Sequence, residues 1–195
     1  AAITDSAAMQ VTGTSSFTID SGSNNITLDT SDLEGAITVN TTATSNFTLD
    51  NGTQAVIVAG GTVNGAVSVT TSGAISQTGA LAVTGTSSFT STGTNTTIDL
   101  SNTGNNFGGA ISFSTLGTTG NVTVNNGTTA IDLGTVTANG ALSVTSGGII
   151  SDSGVITVAG NATFVTDVDD IDIVLDSTNA ITGALTFTTQ TSGST

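Results

Sequence analysis

The densest concentration of groups able to do chemistry in this chain is acidic. Asp167, Asp169, Asp170, Asp172 and Asp176 place five of the fourteen acidic residues within ten positions. Several carboxylates close together are hard oxygen ligands of the kind Ca²⁺ takes, and no Lys, Arg or His is present to neutralise them instead. These five are the candidate metal ligands, and Ca²⁺ is the one cofactor they suggest. The same spacing also reads as a solvated corner whose alternating Asp side chains point to water. Neither the EF-hand loop, with its Gly and closing Glu, nor the glycine-rich GGxGxDx calcium repeat is present.

Asp99 and Asp132 each sit in the middle of an Ile-Asp-Leu triplet and are expected to face outward, where they could meet carbohydrate or metal. Glycoside hydrolysis needs two carboxylates about 5–9.5 Å apart, and nothing in the sequence sets up such a pair. Without His, Cys, Lys or Arg, most nucleophilic and acid–base arrangements are closed. No catalytic or cofactor-binding residue is therefore assigned, and a non-enzymatic role is expected. Asn-x-Ser/Thr occurs at Asn25, Asn40, Asn46, Asn51, Asn95, Asn121, Asn126 and Asn161. In a chain so rich in Asn and Thr this reads as composition rather than as a glycosylation signal.

The formal charge of −14 has no side-chain cation to offset it. Phosphate backbones and anionic headgroups are recognised through Lys and Arg, so nucleic acid and acidic membranes are not expected partners. No apolar run approaches the length of a membrane span. With no Cys, stability has to come from regular packing and not from disulfides.

The regularity is explicit. VTGTSSFT occurs at Val11–Thr18 and identically at Val83–Thr90, with a divergent copy, VAGNATFV, at Val158–Val165. Ile3, Ile75 and Ile150 align, as do Ile26, Ile98 and Ile173. The long period is the distance from Val11 to Val83 and again from Val83 to Val158. It gives repeats of about 2–73, 74–148 and 149–195 in a single segment, 1–195. Inside each repeat run apolar–polar–apolar triplets, such as Leu81-Ala82-Val83 and Leu142-Ser143-Val144, bounded by Gly, Asn, Ser and Thr. A period of two puts the outer pair of each triplet on one face of a strand. No helical stripe is sustained.

These features predict an all-β fold, a β-solenoid of stacked short strands with three strands per coil. Phe17, Phe89 and Phe164 recur at equivalent repeat positions and are expected to form a stacked core ladder. Gly-Ala boundaries suggest coils of roughly 30 residues, and hence six to eight rungs. A flat Thr-bearing face would suit ice binding, but no regular Thr-x-Thr array is evident from the sequence.

GAISQTGALAVTGTSSFT (Gly73–Thr90), followed by NNFGGAISF (Asn105–Phe113), resembles the repeats of long bacterial β-strand-repeat surface proteins of the filamentous-haemagglutinin and autotransporter-adhesin type. The resemblance implies secretion, a long β-helix, and a role in a surface fibre, a biofilm-matrix filament or adhesion to a surface or glycan ligand. It supplies no catalytic residues. Both ends of the chain fall inside the repeat without an evident cap, so the chain is expected either to be a piece of a longer array or to associate end to end into a homo-oligomer or filament, the second or a mixture of the two being preferred.

Overall fold

In a computed structural model, which describes residues 1–190, the chain is an all-β solenoid of about nine turns with three strands per coil. Every described strand pairing is parallel and joins strands one turn apart. At about 4.8 Å per rung the stack is roughly 40 Å long.

The first face is built from Ile3–Thr4, Ile26–Leu28, Phe47–Asp50, Val67–Thr71, Ser87–Thr94 and Ile111–Leu116, and then from residues 136–138, Ile156–Val158 and Ala180–Ile181. The second opens with Met9–Val11 and Ser31–Leu33. It resumes at residues 56–58 and continues through Ile75–Gln77, Ile98–Leu100, Val122–Asn125, Leu142–Ser146, Ala162–Asp169 and Leu185–Gln190. The third runs through Ser15–Thr18, Ala36–Asn40, residues 60–63, Leu81–Val83 and Asn106–Phe107. It resumes at residues 131–133 and ends with Ile150–Asp152 and Ile173–Val174. At two corners the strand bends without breaking, in Val56–Val63 and Ile131–Ala138, and joins adjacent faces into one sheet.

The triplets behave as their period requires. Ile98 and Leu100 are buried while Asp99 between them is exposed, and Ile156-Thr157-Val158 follows the same pattern. The inward residues form one continuous apolar core of stacked Ile, Val, Leu and Phe, each column contributed by one corner or face. A parallel stack of this kind hides its apolar side only through neighbouring coils.

Two expectations need correcting. One turn leads from Val56 to Ile75 and from Ser87 to Ile111, so a coil is shorter than the Gly-Ala boundaries suggest. About nine rungs form instead of six to eight. The equivalent Phe residues do not stack on one another. Phe17 lies on the third face against Val39, Phe89 on the first face against Phe113, and Phe164 on the second face against Phe187. Phe89 and Phe113 have ring centroids 6.1 Å apart, and Phe164 and Phe187 are 5.6 Å apart. The ladders are made between neighbouring coils within a repeat, not between copies.

The reason is numerical. Each sequence repeat contributes ten strand positions, and three make a coil, so a repeat advances three and one-third turns. The pair Ile3–Ile26 lies on the first face, its equivalent Ile75–Ile98 on the second, and Ile150–Ile173 on the third. The same contact recurs each time, turned by a third of the circumference.

Candidate functional surface

The five candidate calcium ligands lie along the last coils. Asp167 and Asp169 fall at the exposed end of Ala162–Asp169, and Asp170 turns the chain with a φ of 58°. Asp170 and Asp172 border a shallow groove shared with Ile171, Ile173, Phe187, Thr189 and Gln190. Asp176 lies at the next corner, where its backbone N–H donates to Asp152 Oδ1 at 2.8 Å. Among the described residues, no group of three or more acidic side chains is placed to share a cation. Asp99 accepts from the Ser101 N–H at 3.1 Å, and Asp132 Oδ2 accepts from the Ser153 hydroxyl at 2.9 Å. The other oxygen of Asp132 is shielded and unpaired.

The carboxylate that does organised work is one that the spacing of acidic residues did not single out. Asp152 is buried at 7% exposure and accepts from Asp176 N at 2.8 Å and Asn179 Nδ2 at 2.6 Å. Its repeat equivalents are Asp5 and Gln77, and each clamps the corner loop one turn later. Asp5 accepts from the Asp29 N–H at 3.0 Å, the Thr30 N–H at 3.2 Å and the Ser31 hydroxyl at 2.9 Å. Gln77 accepts from the Asn102 N–H at 3.0 Å and from Asn105 Nδ2 at 2.9 Å. Burial pushes the Asp5 carboxyl upward, but the bonds from Asp29, Ser31 and Thr30 outweigh it and hold its pKa below the usual value. The signal was present in the repeat alignment, two residues after Ile3, Ile75 and Ile150.

The eight Asn-x-Ser/Thr asparagines have a shared structural task. Each accepts a backbone N–H from a neighbouring coil, as in Asn46 Oδ1 from Ala66 at 2.7 Å, Asn121 Oδ1 from Ala141 at 2.8 Å and Asn161 Oδ1 from Ala184 at 2.9 Å. Asn25, Asn40 and Asn95 do the same with Asn46, Thr62 and Thr118. Asn51 and Asn126 go further, since both are fully buried at the two interruptions of the ladder. Asn51 accepts from Leu33 N at 2.7 Å and donates to Leu33 O at 2.9 Å and Ala55 O at 3.1 Å. Asn126 repeats this with Phe107 N at 2.7 Å, Phe107 O at 3.3 Å and Ala130 O at 2.6 Å. A side-chain amide here replaces the peptide group of a missing rung, so backbone groups that would otherwise be buried unpaired are satisfied.

The outer side of the faces carries a second pattern that strand register reveals. On the first face Thr4, Thr27, Thr48, Ser68, Ser88 and Ser112 are successive partners in one column. Beside it Thr70, Thr90, Ser114, Thr137 and Thr157 form another, headed by Asp50. On the second face Thr123, Ser143, Thr163 and Thr186 line up behind Asp99, with Asn125, Thr145, Val165 and Thr188 alongside. The second array is the repeat equivalent of the first, turned to the next face. A single-face regularity that the sequence did not display is therefore present, as columns made mostly of Ser and Thr and interrupted by Asn125 and Val165 on the second face.

These features recur with the repeat, and so does the match to a known family. The family described as "Repeats of unknown function (DUF5649)" matches three consecutive stretches, residues 1–40, 44–114 and 119–188. No curated protein and no solved structure matches the chain. The second and third matched stretches begin at positions 44 and 119, the same separation as that of Asn51 from Asn126 and of Ser68 from Ser143. With nearly the whole chain accounted for in this way, the protein belongs to the DUF5649 repeat family.

Proposed function

We propose that the chain is a structural rod, an extracellular β-solenoid segment that forms or belongs to a surface fibre or matrix filament. The observation that supports this is the reuse of one coil-on-coil contact. Ile3–Ile26, Ile75–Ile98 and Ile150–Ile173 make the same pairing three times, so the stack can be lengthened by further repeats without a new interface. Stability in such an array grows with each added neighbour contact. Self-association end to end would use the same geometry, because an open rung offers N–H and C=O groups to another strand. The role is non-catalytic in this reading, with the outer faces available for surface contacts.

Electron microscopy of the purified chain, alongside versions carrying one and two additional repeats, tests the proposal. Rods should lengthen by about 16 Å per repeat, the height of three and one-third rungs. Globular particles, or a length that does not follow repeat number, would count against it. Analytical ultracentrifugation over a concentration series separates covalent extension from association between copies.

A further inference from the structure

We infer that Asn51 and Asn126 are deamidation sites that react only when their coil opens, and that conversion of either amide to a carboxylate keeps the coil from closing again. The inference is independent of the reading of the chain as a rod.

The chain contains four Asn-Gly steps, at Asn51, Asn64, Asn126 and Asn139. Asn is a chemically labile residue, and a following Gly brings no Cβ to hinder attack by its own nitrogen. In the reaction the Gly nitrogen attacks the Asn Cγ and an N–Cγ bond forms. The Cγ–Nδ2 bond breaks, and the proton from the Gly nitrogen leaves with the departing ammonia. Water then opens the cyclic imide at either carbonyl, which yields aspartate or isoaspartate. No other reactant is needed.

At two of the four steps the fold requires this dipeptide. An amide is needed at Asn51 and Asn126 to replace the missing rung. The residue after each turns with a positive φ, 55° at Gly52 and 58° at Gly127, a conformation that favours glycine. Closure of the coil holds both steps inert in two ways. Three hydrogen bonds fix each side-chain amide, to Leu33 and Ala55 in one case and to Phe107 and Ala130 in the other. The attacking nitrogen is engaged as well, since Gly52 N–H donates to Asp50 Oδ1 at 2.9 Å and Gly127 N–H to Asn125 Oδ1 at 2.8 Å. Asn64 and Asn139 are held more lightly. Both are half-buried, and among the described residues each side chain makes one bond, from Nδ2 to Thr41 O at 2.6 Å and to Thr115 O at 2.7 Å.

The product does not fit the closed coil. A carboxylate has no N–H to donate, so Leu33 O and Ala55 O, or Phe107 O and Ala130 O, would face a buried negative oxygen with no proton between them. Isoaspartate also lengthens the backbone by one carbon. Opening is therefore reversible only while the amide survives, and each site works as a one-way latch.

The test is incubation of the intact chain in mildly alkaline buffer, folded and in urea, with the four sites followed by peptide mass spectrometry and an isoaspartate assay. In urea all four should convert at similar rates. In the folded chain conversion tracks the population of the locally open form, so Asn51 and Asn126 should lag Asn64 and Asn139 by about tenfold or more. Asn51→Asp reproduces one product. By hydrogen exchange its Leu33 and Val56 amides should lose protection about tenfold or more at neutral pH. They should regain it in acid, where a protonated carboxyl again offers both a donor and an acceptor. Asn51→Ala should show no such recovery. Asp32 and Asp50, the nearest carboxylates in sequence, are present in both variants, so the alanine chain reports their share. Should Asn51→Asp not fold at neutral pH, recovery in acid still reads the latch. The inference is overturned by the same relative rates in the folded chain as in urea, by conversion of Asn51 or Asn126 ahead of Asn64 and Asn139, or by wild-type protection of Leu33 and Val56 in Asn51→Asp at neutral pH.

Discussion

The octapeptide VTGTSSFT appears twice without a single change, and its two copies live in different surroundings. In Val83–Thr90 the strand lies between Val67–Thr71 and Ile111–Leu116, and Phe89 is fully buried. It touches Phe107 edge-on at 6.1 Å as well as stacking on Phe113. In Val11–Thr18 the strand has one described neighbour, Ala36–Asn40, and Phe17 is only partly buried. Identical residues thus acquire different weight from coils that are distant in sequence by a turn. In a stack, burial belongs to the neighbours and not to the local sequence.

The sharpest way to break this comparison is to shorten both Phe residues. Phe89→Ala should cost about 3–5 kcal/mol, the range for a buried Phe whose cavity cannot collapse, and Phe17→Ala clearly less than half of that. Denaturant unfolding followed by hydrogen exchange at each coil would measure the two. Equal losses would mean that the position in the stack does not govern burial.

Next in size are the amides that replace missing rungs. Asn51→Ala and Asn126→Ala each leave a buried N–H and carbonyl without partners, a loss of about 2–3 kcal/mol. Because the two sites are repeat equivalents with matching bonds, their costs should agree within about 0.5 kcal/mol in parallel denaturation curves. A large difference would show that equivalence in sequence does not extend to energetics.

The corner clamps come third. Asp152→Ala should loosen the loop around Asp176 and Asn179 by about 1–2 kcal/mol, read as faster exchange at Asp176 and Ser177. Asp5 performs the same task at the less enclosed coil, and its effect should be smaller. Its pKa is lowered in the folded chain, so the unfolded chain binds its proton more readily. The stability it contributes is therefore present above the unfolded carboxylate pKa and is lost as pH falls through the folded one. Asp5→Asn should flatten that acid limb slightly in thermal melts between about pH 5 and 2; an unchanged limb would remove Asp5 from the clamp.

Much of the architecture was legible in the residues. Apolar–polar–apolar triplets identify strands, and their short spacing without a helical stripe identifies stacked coils. The coil length was not legible, because Gly-Ala pairs such as Gly35-Ala36, Gly109-Ala110 and Gly183-Ala184 precede strands on the third, first and second faces in turn. They mark corners, not completed turns. The expectation of a Phe ladder failed for the same cause, since a ten-strand repeat cannot bring its own copies into line on a three-sided coil. The acidic run at Asp167–Asp176 is dense but exposed, whereas Asp152, the one buried carboxylate among the described residues, stands alone in the sequence. The hydroxyl columns were invisible because their members are a full turn apart in sequence and become neighbours only through register.

The rotation of the repeat by one-third of a turn is tested most directly by disulfide cross-linking, for which the absence of native Cys gives a clean background. Adjacent-rung Cα atoms lie within the roughly 4.4–6.8 Å that a disulfide spans. Three equivalent pairs, Ser16→Cys with Thr38→Cys, Ser88→Cys with Ser112→Cys, and Thr163→Cys with Thr186→Cys, are register partners on the third, first and second faces. All three should close under mild oxidation, as judged by thiol titration and non-reducing electrophoresis, while Ser16→Cys with Ser88→Cys and Ser88→Cys with Thr118→Cys stay open within the monomer. Closure of the Ser16–Ser88 pair would place repeat equivalents on one face, and closure of the Ser88–Thr118 pair would restore the longer coil that the Gly-Ala boundaries suggest; either contradicts the fold described.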